Sequence, residues 1–585
     1  GPEHRAHFES LEKAAPQLGA RARALGALTE ASAPQWAAWV AELEALITDY
    51  SHLASYIGCL SACDAKNEGY RAAQGRLSRF GAEFKKATIP IHAALKGASD
   101  AAFEALRGDA RLEGAGYFLE LERDEARLTM APELEELAAE LSVDGMGAWG
   151  RLYNNIAGGL SFEMKWPDGR TENVPMARRN SLLDDPDAVV RKAAFDSSNK
   201  AWESMADPVA ACLNGISGAR LTLYKRRGVK HFLDVALHQS HVSRAAIDAM
   251  WSVVVEHRPL VWRYLRVKAK LIGRHKLGFQ DTSCPLPLKD ARRTPWAEGS
   301  RRVFDALGAS YPALGRFSAR MLASGRIESE VRAGKRPGAF CTHSDKTREA
   351  RVYMSYDGSL GDMQTLAHEL GHAWHCEVMR DLRVLACEYP MTLAETASTF
   401  AEDILCNALL NDPAADDAVR ARILTEQLDR AVAFLLNIHM RYLFEERLYT
   451  ERAAGELGVT RIKELMLDAQ RECYGDTLAE DELDPWFWAS KLHFYITGVS
   501  FYNYPYTFGY LFSRGLSGRF RAEGESFLPK YEELLRLTGS ASADDVARQA
   551  IGVDLSQPTF WREAMDGLEQ ALAMFEKVAP RALAR

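Results

Sequence analysis

Leu366-Ala367-His368-Glu369-Leu370-Gly371-His372-Ala373-Trp374-His375 is the stretch from which the rest of the chain can be read. It contains a His-Glu-x-x-His pattern. On a helix, positions i and i+4 lie on one face a turn apart, so His368 and His372 aim their imidazoles at a common point. Two neutral imidazoles at that spacing suit a zinc ion. Glu369 projects near the same point without being a ligand, where it can take a proton from an attacking water. Gly371 and Ala373 are small enough to let a second helix approach closely.

A catalytic zinc needs a third protein ligand and an open position. Glu395, in Thr392-Leu393-Ala394-Glu395-Thr396-Ala397-Ser398-Thr399, is the candidate, with Glu388 as the alternative. The 22 residues between His372 and Glu395 let the first helix end near Met379, a loop turn back and a second helix present the carboxylate. Glu402 falls two helical turns after Glu395 on the same face. It is either a surface carboxylate or a hydrogen-bond partner behind a ligating histidine. His375 has two readings as well. As a fourth ligand it would close the site into a structural zinc; as a packed or supporting histidine, the preferred reading, it leaves the site open. Asp357 and Asp362 fit turn and capping roles.

Working outward, the segment from His7 to Arg111 is rich in Ala, Leu, Glu and Arg with apolar residues three and four apart, which predicts long amphipathic helices. Pro132 to Leu141 predicts another. Leu160–Trp166 and Arg170–Val174, joined by Pro167-Asp168-Gly169, predict a β-hairpin. Asp185 and Pro186 read as a cap and first helical position for a helix from Ala188. Ala339-Phe340-Cys341 and Arg351–Tyr356 form a second β-like region just before the metal helix. A strand there is either plain structure or an edge that binds an extended peptide through its backbone.

A second chemical constellation follows: Lys491-Leu492-His493-Phe494-Tyr495, then Phe501-Tyr502-Asn503-Tyr504-Pro505-Tyr506-Thr507-Phe508-Gly509-Tyr510. A tetrahedral intermediate carries an oxyanion, and an imidazole or phenol can stabilise part of that charge. Packing into an aromatic core is the competing account of these residues, and a zinc site elsewhere in the chain tips the balance towards chemistry.

The 585 residues, 47% hydrophobic, are enough for a large core and more than one typical domain. A net charge of −8 argues against general nucleic-acid or anionic-membrane binding. The nine cysteines are scattered and odd in number, which points to free thiols in a reducing cytoplasm; Cys59 and Cys63 read as packed thiols. The most apolar stretch, 498–512, is too short and broken to span a bilayer. No signal peptide is read, and Gly1-Pro2 looks like a tag-cleavage scar.

Taken together, the metal stretch, the block Leu393–Thr399 and the block Phe501–Tyr510 resemble oligoendopeptidase F, of the zinc peptidase family that includes thimet oligopeptidase. Asp362–Ala367, Asn180–Phe195 and Tyr153–Glu163 extend the likeness over nearly the whole chain after the first hundred residues. The resemblance implies a mainly α fold: a two-lobed helical zincin with a deep substrate channel, a thermolysin-like catalytic core and a small β region. It implies an N-terminal region over 1–198 and a zinc metallopeptidase region over 199–585. One Zn2+ would be held by His368, His372 and Glu395, with Glu369 as general base and Glu402 behind the ligands. His493, Tyr502 and Tyr506 would serve the oxyanion, Tyr353, Tyr495 and Tyr504 the substrate, and Arg351–Tyr356 would be the edge strand. The expected function is endoproteolysis of short peptides in the cytoplasm, without a nucleic-acid or membrane partner. A zinc carboxypeptidase and a silent peptide-binding protein are the alternatives.

Overall fold

The computed structural model describes residues 2–288 and 293–583; Gly1 of the Gly1-Pro2 pair lies outside them. The chain divides into two compact units, each assembled from three separate segments. The first comprises Gly1–Thr129, Arg292–Ala408 and Arg519–Val553; the second comprises Met130–Ala291, Leu409–Gly518 and Asp554–Arg585. A linear cut between residues 198 and 199 falls inside the helix Ala188–Ser204. Both units are mainly helical. The described strands are β1 (Ser161–Lys165) and β2 (Thr171–Pro175) in the second unit, and β3 (Ile327–Glu328), β4 (Phe340–Ser344) and β5 (Glu349–Tyr353) in the first.

The first unit is founded on the helices Pro2–Leu25, Ala33–Cys63 and Glu68–Gly97. Their apolar residues recur three and four apart, so each presents one buried stripe. Leu11, Leu18, Trp36, Val40, Leu43, Phe80, Ile91 and Leu95 share a core, which Leu385, from the segment after the metal helix, also joins. Burying a side chain of this size stabilises by about 1.5–3 kcal/mol. Polar detail fixes the packing: Trp39 Nε1 donates to the Leu18 carbonyl at 2.9 Å, and Asn67 caps its helix by accepting from Tyr70 N.

The three-stranded sheet of this unit has the order β3-β5-β4. β5 runs parallel to β3 and antiparallel to β4, with Phe340 opposite Tyr353 and Ser344 opposite Glu349. The segment Arg351–Tyr356 is therefore not an edge: its strand is flanked on both sides, and β4 is the edge beside the metal helix. The sheet is tied to the helical foundation by Tyr353, whose hydroxyl lies 2.8 and 2.7 Å from the Ala62 and Arg336 carbonyl oxygens and shares its one proton between them. Ser344 adds a second tie, with its Oγ 2.7 Å from His52 Nδ1.

In the second unit β1 and β2 form the expected antiparallel hairpin, Ser161 opposite Pro175 and Lys165 opposite Thr171. The helix Ala188–Ser204 is capped by Asp187, which accepts from Val189 N, rather than by Asp185. Its Arg191 is fully buried and paired with Asp281 at 2.9 Å. A π-helical turn, Val432–Asn437, precedes the helix Ile438–Arg452. The aromatic block enters the helix Tyr504–Glu523. Among the described residues no helix is long and apolar enough to cross a membrane.

Candidate metal centre

The helix that carries the motif, Leu360–Val378, begins with a capping box. Asp362 N donates to Ser359 Oγ at 3.0 Å and Ser359 N donates back to Asp362 Oδ2 at 2.9 Å, which satisfies two of the orphan donors at a helix start. The helix ends at Val378 with Met379 as its cap. The chain returns through Val384–Ala386, and Glu395 sits at the junction between the short helix Met391–Ala394 and the helix Thr396–Leu410. The two helices cross at Gly371, where a Cβ would lie 2.4 Å from the Ala397 carbonyl oxygen and 2.6 Å from Ser398 Cα. Only glycine permits that approach, and it brings Glu395 to the histidines.

His368 Nε2 and His372 Nε2 are 3.1 Å apart. Glu395 Oε2 lies 3.4 Å from the first and 3.5 Å from the second. Three ligand atoms on a tetrahedral zinc with bonds of about 2.0–2.1 Å are separated by about 3.3 Å, so the donor set fits such an ion. These three residues form a group able to hold a metal. Each is partly exposed, which leaves the group open on one side. Glu402, 7% exposed at its side chain, places Oε1 2.6 Å from His368 Nδ1. That contact fixes the tautomer with Nε2 bare and facing the group. Ser398 Oγ donates to Glu395 Oε2 at 2.7 Å and orients the carboxylate.

Glu369 is buried, and its Oε2 has no hydrogen-bond partner. Burial pushes its carboxyl up to about 7, against the attraction of His368 and a hydrogen bond from the Cys341 backbone on β4. His372 is driven down to about 4 by burial, so it is neutral and ready to ligate. Burial also works to lower His368, but the Glu402 and Glu395 carboxylates outweigh it and the net shift is upward. A buried carboxyl raised towards neutrality beside the two imidazoles suits water activation.

His375 turns the other way. It is fully buried, with Nε2 2.9 Å from Thr538 Oγ1, and it stacks on Tyr389 at 4.3 Å. Neither it nor Glu388 joins the metal group. In the second unit, His493, Tyr502 and Tyr506 are brought together: the His493 and Tyr502 rings are 4.8 Å apart, and Tyr506 OH donates to Tyr502 OH at 3.1 Å. Tyr353, Tyr495 and Tyr504 are not surface groups. Tyr353 is spent on two carbonyls and Tyr504 donates to the Ala236 carbonyl at 2.9 Å. Tyr495 is buried and stacked on Tyr153 at 3.6 Å. Their phenols are packing elements, because the alternation of aromatic residues in sequence does not say which of them face inward. Ser398 and the Cys341 backbone, which hold Glu395 and reach Glu369, carry no motif that singles them out in the sequence.

Two family models match the chain: peptidase family M3 over residues 306–567 and oligopeptidase F over residues 95–162. Oligopeptidase PepF of Bacillus subtilis (strain 168) is 26% identical over 420 residues, covering 71% of this chain and 60% of that protein. Group B oligopeptidase PepB of Streptococcus agalactiae is 25% identical over 457 residues, covering 76% of this chain and 74% of that protein. The chain thus spans less than two thirds of the Bacillus relative's length. The fold is that of the oligoendopeptidase-F structure from Enterococcus faecium, with a TM-score of 0.70 at 21% identity over 99% of both chains. Between them the two family models take in more than half of the sequence, including every member of the metal group, and the chain belongs to peptidase family M3.

Proposed function

We propose that this protein is a zinc-dependent endopeptidase acting on short oligopeptides. The observation that carries the reading is the triangle of His368, His372 and Glu395 with the buried Glu369 carboxylate beside it. When bound there, zinc supplies Lewis acidity that polarises the scissile carbonyl and acidifies a water. The remaining steps belong to side chains. Glu369 takes a proton from the attacking water and returns it to the leaving amine, a double role suited to a buried carboxyl with one oxygen free of hydrogen bonds. Glu402 and Ser398 hold His368 and Glu395 in their ligating orientations.

The edge strand β4 supplies the means of holding substrate. An extended peptide can add to it through backbone hydrogen bonds, which confer affinity with little demand on sequence. Cys341 of β4 already reaches Glu369, so a peptide on this edge lies next to the base. Such pairing requires an extended backbone, which favours short unfolded peptides over folded proteins. For the cluster of His493, Tyr502 and Tyr506 we propose hydrogen bonding to the substrate and to the developing oxyanion, on the chemistry of these groups.

Mass spectrometry of a mixture of peptides of varied length, with and without a chelator, tests the proposal. Internal cleavage that disappears with chelator and returns with zinc is expected. Sequential loss of C-terminal residues would replace endopeptidase by carboxypeptidase, and no cleavage in a zinc-loaded sample would remove the enzymatic reading.

A further inference from the structure

We infer that Arg441 and Asn503 lock His493 in the tautomer protonated at Nδ1, so that this histidine offers its substrate a hydrogen-bond acceptor at Nε2. The lock is read from donor and acceptor logic. Asn503 is buried, and its Oδ1 lies 3.0 Å from Arg441 Nη1. A guanidinium can only donate. The atom facing it must be the amide oxygen, so the Asn503 amide has one permitted orientation. The same oxygen lies 2.6 Å from His493 Nδ1. An oxygen can only accept there, so Nδ1 must carry the proton; Arg441 Nη1 is also 3.4 Å from Nδ1, but that lies beyond ordinary hydrogen-bond length and yields to the 2.6 Å contact, the guanidinium donating to Asn503 Oδ1 instead. Neutral imidazole has a single N–H, and Nε2 is left as a bare lone pair. Among the described residues Nε2 makes no hydrogen bond within the protein.

The guanidinium is itself fixed. Arg441 Nε donates to Asn437 Oδ1 at 2.8 Å, and the group lies 5.3 Å over the Phe487 ring. Asn437 is the last residue of the π-helical turn. A π-turn in a long helix is an irregularity found disproportionately at functional sites. Here it places Asn437 under the arginine.

The charged and titratable groups around His493 are Arg441, Lys491 and Tyr502. Burial lowers the His493 pKa, the Asn503 hydrogen bond works against that, and Arg441 and Lys491 add to the lowering. The ring is therefore neutral at physiological pH, and a neutral ring in this tautomer cannot donate from Nε2. The oxyanion donors of the cluster are then the phenols of Tyr502 and Tyr506, while His493 accepts a backbone N–H of a bound peptide. The substrate half of this inference rests on the peptidase reading; the tautomer half does not. Arg441 and Asn503 act through His493 and are positioning residues.

Ring-15N histidine labelling with long-range 1H–15N correlation tests the lock directly, the His493 signals being identified by their loss in His493→Gln. A pyrrole-type Nδ1 and a pyridine-type Nε2 are expected in the wild type; a protonated Nε2 overturns the inference. Asn503→Asp, which keeps an acceptor, should preserve the Nδ1–H form. Asn503→Leu and Arg441→Met should release it. With a peptide substrate, the two releasing variants should raise KM about tenfold, the worth of one hydrogen bond, with a smaller change in kcat. A fall in kcat of about 100-fold or more at unchanged KM is the signature of a lost oxyanion donor and overturns the acceptor role. If the zinc-loaded wild type shows the Nδ1–H tautomer but cleaves no peptide, the lock stands and the peptidase reading falls with the substrate half.

Discussion

Glu402 Oε1 lies 2.6 Å from His368 Nδ1, seven residues after Glu395 along the chain. The helix Thr396–Leu410 therefore carries the partner of His368, while Glu395 sits immediately before its first residue. With the Nδ1 proton engaged, His368 is held as an Nε2 ligand before any metal arrives. Glu402→Ala should weaken zinc affinity about 10–100-fold, a loss measured by competition with a chromophoric chelator. Glu402→Gln should lose less, since the amide oxygen still accepts from Nδ1–H. Equal affinity in all three proteins would show that the contact does not orient His368.

Glu369 is the group whose removal separates binding from chemistry. It touches none of the three ligand side chains by hydrogen bond, and its Oε2 has no partner. Glu369→Gln is nearly isosteric and uncharged, so zinc content by atomic absorption should stay at one per chain. Peptide turnover should fall by at least about 100-fold, the lower end of what a positioned general base contributes. A variant that turns over at the wild-type rate would remove Glu369 from the mechanism.

These two residues also show what was legible in the sequence. His368, Glu369 and His372 were readable because a local period of 3.6 residues fixes their directions, and Glu395 and Glu402 because the same period operates after a short return loop. The strand order was not readable. β5 is flanked because Ile327 and Glu328 pair with Val352 and Tyr353, and a two-residue strand leaves no pattern in sequence. The cap of Ala188–Ser204 moved from Asp185 to Asp187 because both aspartates are competent caps and only the backbone chooses between them. The Arg441–Asn503 contact joins residues 62 apart with no shared motif. Local periodicity thus pointed to the group able to hold a metal, and long-range pairing decided which tyrosines are buried.

Gly371 couples packing to ligation. A methyl group there meets the Ala397 carbonyl oxygen and Ser398 Cα, both backbone atoms that cannot swing aside. Gly371→Ala must push the helix Thr396–Leu410 away and carry Glu395 with it. Overpacking of this kind costs about 1–3 kcal/mol, to be read in urea denaturation of the metal-free protein. Zinc affinity should fall as well, because one of three ligands is displaced. Unchanged stability together with unchanged affinity would contradict the close crossing.

His92 gives the first unit a pH-dependent contact outside the group of His368, His372 and Glu395. Its Nε2 lies 2.7 Å from Glu122 Oε2, joining the helices Glu68–Gly97 and Gly116–Arg127. The hydrogen bond to Glu122 raises the His92 pKa, burial opposes it, and the net direction is upward. A histidine whose folded pKa exceeds its unfolded value of about 6.5 stabilises the fold fully below that value. The contribution is lost as pH rises through the folded pKa. Both side chains are partly solvated, so the full effect should stay below about 1 kcal/mol. Urea midpoints of wild type and His92→Gln, taken between about pH 5.5 and pH 9, should therefore differ most at the acid end and converge at the alkaline end. Since Glu122 must be ionised for the contact to form, the difference should shrink again below about pH 4.5, where carboxylates gain protons. A difference that grows with pH would assign the pair the opposite sign and exclude a charged His92 from it.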